Sequence, residues 1–238
     1  MIRACERNLA NIPFLFSEIL CKSMWQKRGE PPWWSIIACK NQEVITMNKA
    51  QPIKNAMQLE TFKNYYYRVH YHPRNHMFIT MGLNTALRVS DLLRLKWCDV
   101  FDYDNVCYRE HVFLVEQKTQ KKSYIYINER VAETLLWYQN TYAYMPQPQE
   151  YLFSNENGTA ISRVSAYRIV RLAAENCHIE GVISPHSLRK TFGYQAWIKG
   201  VSPVLLMDIY QHSSFEITKR YLGIEQDERD SVFREVII

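Results

Sequence analysis

SPHSLRKTFGYQAWIKGVSPVLLMDIYQHSSFEITKRY, residues Ser184 to Tyr221, is the stretch from which the rest of the chain can be read. Ser184 followed by Pro185 marks a helix start, because proline fits the first turn, where its missing N–H costs nothing. Gly200 supplies the stop. Ser202-Pro203 opens a second helix to about residue 210, and His212-Ser-Ser turns the chain into a third over 215–222. Residues three apart share a helix face, so His186 and Arg189 point into one space. Arginine carries a permanent forked cation that suits phosphate oxygens. Histidine holds or releases a proton near neutral pH. Tyrosine is one of the few side chains able to form a covalent intermediate. Two imidazoles, a guanidinium and the Tyr221 phenol on adjacent helices are what phosphoryl transfer to a tyrosine requires. A lone His-x-x-Arg pair is nevertheless weak evidence, since most such pairs are surface or supporting residues.

Upstream, the pattern is mostly helical. A helix is expected over 55–70, with Met57, Phe62 and Tyr66 roughly on one stripe. A break at 71–75 precedes an apolar helix over 76–85, and 88–95 forms a short helix with Val89, Leu92, Leu93 and Leu95 facing inward. A β section follows. Residues 108–116 and 123–128 are rich in β-branched and aromatic side chains, and the polar tip Gln117-Lys-Thr-Gln-Lys-Lys122 between them reads as a hairpin turn. Asn128 caps a helix over 129–144, ended by Pro146 and Pro148. Ser162 caps another, to about residue 176. A final amphipathic helix is expected over 226–236. The fold class is therefore mainly α with a small antiparallel β-sheet.

The whole chain sets wider bounds. It has 238 residues, 47% of them hydrophobic, which is enough for a real core. A formal net charge of +5 permits a polyanionic partner without demanding one. Residues 1–47, with Pro31-Pro32-Trp33-Trp34 and no sustained period, read as an N-terminal arm that is poorly ordered or precedes a natural start at Met47. The six cysteines form no C-x-x-C pair and no zinc-like spacing with histidine, and no run is long and apolar enough to span a membrane. The expectation is a cytoplasmic protein with reduced thiols, no metal and no cofactor.

The scattered polar residues then fall into a pattern. Gly82-Leu-Asn-Thr-Ala-Leu-Arg88-Val-Ser-Asp91, the Lys118 hairpin, His186-Ser-Leu-Arg189, His212 and, nine residues on, Tyr221 follow in order. This order resembles the tyrosine recombinase (phage integrase) family over about residues 48–236, a DNA breaking-rejoining catalytic domain. The resemblance implies a role for each residue. Arg88 and Arg189 clamp the scissile phosphate. Lys118 is the general acid on the leaving 5′ oxygen, with Lys121 and Lys122 as substitutes because Gln117 and Thr119 stand where glycines are frequent. His186 carries a proton, His212 bonds the phosphate, and Tyr221 is the nucleophile. Asp91, shorter than the commoner Glu, supports the site from behind. Lys121, Lys122 and Lys190 are expected to touch DNA.

The implied activity is site-specific DNA recombination through a 3′-phosphotyrosyl intermediate, on double-stranded DNA, by a homotetramer, without ATP, metal or a small-molecule substrate. Integrase-like and invertase-like roles both fit, since the arm is too short for the separate DNA-clamping domain that family members usually carry. The rivals are a type IB topoisomerase-like enzyme and an inactive, DNA-binding relative. Taken singly, Arg88 reads as a solvated helix charge and the hairpin lysines as a solvated turn. Their joint order carries the resemblance.

Overall fold

The computed structural model describes residues 50–224, 230 and 233–236. The expected N-terminal arm, 1–47, lies outside the described residues. So does much of the expected helix over 226–236, in which 230 and 233–235 are helical.

The first helix, α1 (Ala56–Asn64), begins where the Asn55 side chain accepts from the N–H groups of Met57 and Gln58 at 2.9 and 3.0 Å. It passes into a π-helical turn, Tyr65–Val69. The expected Met57 stripe is corrected here: Met57 is 79% exposed, while Phe62 and Tyr66 are buried. At about 100° per residue, Tyr66 lies about 40° round the helix from Phe62 and Met57 about 140° away. The polar cap at Asn55 keeps that first turn facing solvent.

Helix α2 (Pro73–Asn84) is the central rod, buried from Asn75 through Leu83. It packs against the helices Glu129–Tyr142 and Pro185–Ile198. A Cβ on Gly82 would lie 2.5 Å from Leu188 Cδ1, so the glycine leaves room for the Leu188 side chain to pack directly on the α2 backbone. Two one-turn helices follow, α3 (Val89–Leu92) and α4 (Trp97–Val100). The former is shorter than expected, yet Leu92, Leu93 and Leu95 are buried and Val89 packs on the core.

The β section forms two separate two-stranded antiparallel ladders. A small one pairs β1 (Phe101–Asp102) with β2 (Cys107–Tyr108), which takes up the start of the stretch expected as one long strand. The hairpin pairs β3 (His111–Val115) with β4 (Lys122–Tyr126) in the register Val112↔Ile125 and Leu114↔Ser123. Strand alternation places Val112, Leu114, Ser123 and Ile125 on the inner face.

Helix α5 (Glu129–Tyr142) starts at Asn128, whose side chain accepts from Val131 N–H at 3.0 Å. Helix α6 (Arg163–Asn176) starts at Ser162, which accepts from Ser165 N–H at 3.0 Å. Then come α7 (Pro185–Ile198), α8 (Pro203–Tyr210) and α9 (Phe215–Leu222). Two apolar clusters result. The larger joins α1 through α6. The smaller gathers Ala86, Leu206, Tyr210, Leu222 and Ile224, with Tyr221 packed against it. Helix α7 borders both, Leu188 in the first and Phe192 against the second. Among the described residues no helix is long and apolar enough to cross a membrane.

Candidate active site

Arg189 lies on the first half of α7. It is 4% exposed, its Nη1 donates to the Ala86 carbonyl, and its guanidinium lies 4.7 Å from the centre of the Tyr210 ring. Ala86 holds a left-handed φ of +52°, a conformation that costs an L-residue roughly 1–2 kcal/mol. Its carbonyl receives the charge-assisted bond in return. The Tyr210 hydroxyl donates to the Arg189 carbonyl at 2.7 Å, so ring and hydroxyl fix both ends of the same residue.

Arg88 is the N-cap residue of α3, at the point where the chain leaves α2. Its Nη1 pairs with Glu116 Oε2. Glu116 was not foreseen from the sequence. It is 3% exposed and also accepts from Thr119 Oγ1 at 2.8 Å and Ser123 Oγ at 3.0 Å. Burial pushes its carboxyl up, but those hydroxyls and the Arg88 charge outweigh it and hold the pKa below the ordinary value. The one sequence sign of Glu116 is an acid closing an apolar strand just before the lysine-bearing turn.

Asp91 is buried behind the site. Its Oδ1 accepts from Gln117 N–H at 2.8 Å and from Arg94 at 3.2 Å, while Oδ2 has no hydrogen-bond partner among the described residues. The bond to Gln117 anchors the residue before Lys118. Lys118 itself is exposed on the turn, and its charge is felt at His186. Lys121 and Lys122 line a 740 Å³ cleft whose walls also carry Arg189, Glu116 and His212.

Tyr221, on α9, is enclosed by rings. The His186 and His212 rings each lie 5.1 Å from it, both edge-on, and the Tyr210 ring lies 5.3 Å away. Lys190 Nζ stands 4.9 Å over the Tyr221 ring, so this lysine borders the phenol. Burial raises the Tyr221 pKa to about 12 although the Arg189 charge pulls it back. The hydroxyl is buried facing the Arg189 guanidinium, whose side-chain contact also pulls the pKa down. His212 Nδ1 pairs with Thr218 Oγ1 at 3.0 Å, which ties it to α9, and burial followed by the Arg189 and Arg88 charges lowers its pKa.

His186 keeps an open edge to solvent. Crowding of the ring, then the charges of Lys190, Arg189, Arg88 and Lys118, pushes its pKa down to about 4. Solvent at the open edge screens part of this, but the direction is plain. The imidazole is neutral at pH 7. The structure thus brings Arg88, His186, Arg189, His212 and Tyr221 together, with Lys118 on an exposed turn beside them. Tyr210, Ala86 and Glu116 complete the site. Among the described residues no group of three His, Cys, Asp or Glu side chains is placed to hold a metal ion.

The sequence matches the phage integrase family over residues 44–228. The chain belongs to the phage integrase family. Among its relatives, "Probable integrase/recombinase YoeC" of Bacillus subtilis (strain 168) is 35% identical over 189 residues, covering 79% of this chain and 97% of that protein. A "Tyrosine recombinase" of Pseudothermotoga lettingae is 26% identical over 164 residues, covering 69% of this chain and 54% of that protein. Among solved structures, the XerH site-specific recombinase bound to palindromic difH substrate, a post-cleavage complex, superposes with a TM-score of 0.62 at 20% identity. That match covers 79% of this chain and 54% of the recombinase, and it shows the fold. This integrase-family chain therefore spans nearly all of one relative and about half the length of the other two.

Proposed function

We propose that this chain is a site-specific DNA recombinase that cuts and rejoins strands through a 3′-phosphotyrosyl intermediate. The observation that carries the reading is the Tyr221 phenol, enclosed by the His186 and His212 rings at 5.1 Å beside the buried Arg189. Attack on a phosphodiester builds negative charge on its non-bridging oxygens. Arg88, Arg189 and His212, held in place before the substrate arrives, stabilise that charge more in the transition state than in the ground state. His186, made more basic when the negative phosphate arrives beside it, takes the proton that Tyr221 must lose, which matters because a phenol with a pKa near 12 is a poor nucleophile while protonated. Lys118 protonates the leaving 5′ oxygen, a general-acid contribution of about 10² to 10⁴-fold. Lys121, Lys122 and Lys190 contact the DNA backbone. The phosphotyrosyl link conserves the bond energy, so a 5′ hydroxyl from a second strand reverses the step without ATP or metal. Strand exchange needs four active sites, hence a homotetramer on paired double-stranded sites.

The test uses DNA flanking the gene as candidate sites. A nicked duplex that traps cleavage should give a covalent protein–DNA adduct, and two sites on one plasmid should recombine. Relaxation of supercoils without two-site products would assign the same chemistry to a topoisomerase-like enzyme. Absence of any adduct would overturn the reading.

A further inference from the structure

A buried carboxylate at the wall of a cleft meant for phosphate calls for explanation. Glu116 repels any phosphate that enters, and it shares Arg88 with that phosphate. Its bonds indicate what is gained. Its Oε2 takes Arg88 Nη1 and Thr119 Oγ1, and its Oε1 takes Ser123 Oγ. Its backbone closes the same turn: Glu116 N–H donates to the Lys121 carbonyl and Gln120 N–H to the Glu116 carbonyl, both at 2.9 Å. Lys118 is carried exposed on that turn, and Gln120 inside it holds a left-handed φ of +56°. One residue therefore fastens the Lys118 turn from within and ties it to Arg88, 28 positions earlier in the chain.

We infer that Glu116 is a positioning residue that locks the Lys118 turn onto Arg88, so that general acid and phosphate clamp present to the substrate as one unit. The inference rests on the recombinase reading and deepens it. The carboxylate acts through its neighbours and touches no reacting atom. Only part of the Arg88 fork is engaged. A guanidinium has five N–H donors, so donors remain for a phosphate. Shifting a group of this kind by about 1 Å costs on the order of 10²-fold in rate.

The experiment compares wild type, Glu116→Gln, Glu116→Ala and Lys118→Ala on two trapping substrates. One carries the ordinary 5′ oxygen at the cleavage site and the other a bridging 5′ sulfur, which leaves without protonation. Glu116→Ala should slow adduct formation about 10²-fold on the oxygen substrate and recover most of that on the sulfur substrate, as Lys118→Ala does. Glu116→Gln, which keeps an acceptor for the hydroxyls, should fall between. Unchanged rates on the oxygen substrate would overturn the inference. An equal loss on both substrates would also overturn it, since Glu116 would then serve Arg88 or the fold alone. Thermal unfolding of each variant identifies that second case. If wild type forms no adduct with either substrate, the recombinase reading itself falls, and this inference with it.

Discussion

Gly193→Ala tests whether the small apolar cluster holds the Tyr221 helix in place. Gly193 lies inside α7 and faces α8 and α9. A Cβ built there would sit 2.4 Å from Tyr210 Oη and 2.5 Å from Leu222 Cδ2. Neither neighbour has room to retreat, because both residues are fully buried and the hydroxyl is bonded to the Arg189 carbonyl. Two effects compete. Alanine is a better helix former than glycine by about 1 kcal/mol. Overpacking a buried site costs about 1–3 kcal/mol, and loosening the Tyr210 hydroxyl bond costs about 1 kcal/mol more. Packing wins, and the net loss is about 1–3 kcal/mol. Urea unfolding should show a lower midpoint at unchanged slope. Trapped-adduct formation should slow as well, because Tyr210 and Leu222 flank Tyr221 and set its approach to Arg189. A variant as stable as wild type, or more stable, would refute the reasoning: propensity would have prevailed and the close contact would not be real.

Further outcomes follow from the polar groups of the site. His186 has a folded pKa near 4, below its ordinary 6.5, so the unfolded chain binds the extra proton between those values. Its contribution to stability is present above about pH 6.5 and is lost as pH falls toward about 4. A bound phosphate favours the charged imidazole, so DNA binding near pH 6 should take up protons. Calorimetry in two buffers of different ionisation enthalpy reads this, and it should shrink in His186→Gln, the remainder belonging to His212, whose pKa is also lowered. Equal binding heats in both buffers would refute it. Asp91→Ala leaves the Gln117 N–H without its acceptor, a loss of about 1–3 kcal/mol. Asp91→Asn keeps an acceptor and should lose less. Equal stability of Asp91→Ala and wild type in urea would show that the anchor carries no weight.

Much of the fold was legible because its boundaries are written in local chemistry. Asn128 and Ser162 each cap the helix that their polar side chains announced, and Pro185, Gly200 and Pro203 bound α7 and α8 where expected. The two-part sheet was not legible. Phe101–Asp102 is too short to show a period, and Tyr108 looked like the start of β3 rather than part of a separate ladder. Met57 misled because hydrophobicity alone does not say which side of a first turn faces water. At the site, His186, Arg189, His212 and Tyr221 lie on consecutive elements, so their order together with Arg88 and Lys118 carried the resemblance that named them as candidates. Glu116 and Tyr210 did not stand out, since their partners, Arg88 and the Arg189 carbonyl, are supplied by tertiary folding.

The central claim is that Tyr221 attacks DNA, and the direct measurement is to locate the attachment. The chain is trapped on a nicked duplex, digested with protease and nuclease, and read by mass spectrometry. The account predicts a nucleotide joined through its 3′ phosphate to the peptide containing Tyr221, and no adduct from Tyr221→Phe although that variant still binds DNA. A nucleotide on any other residue, or an adduct that survives Tyr221→Phe, would contradict it.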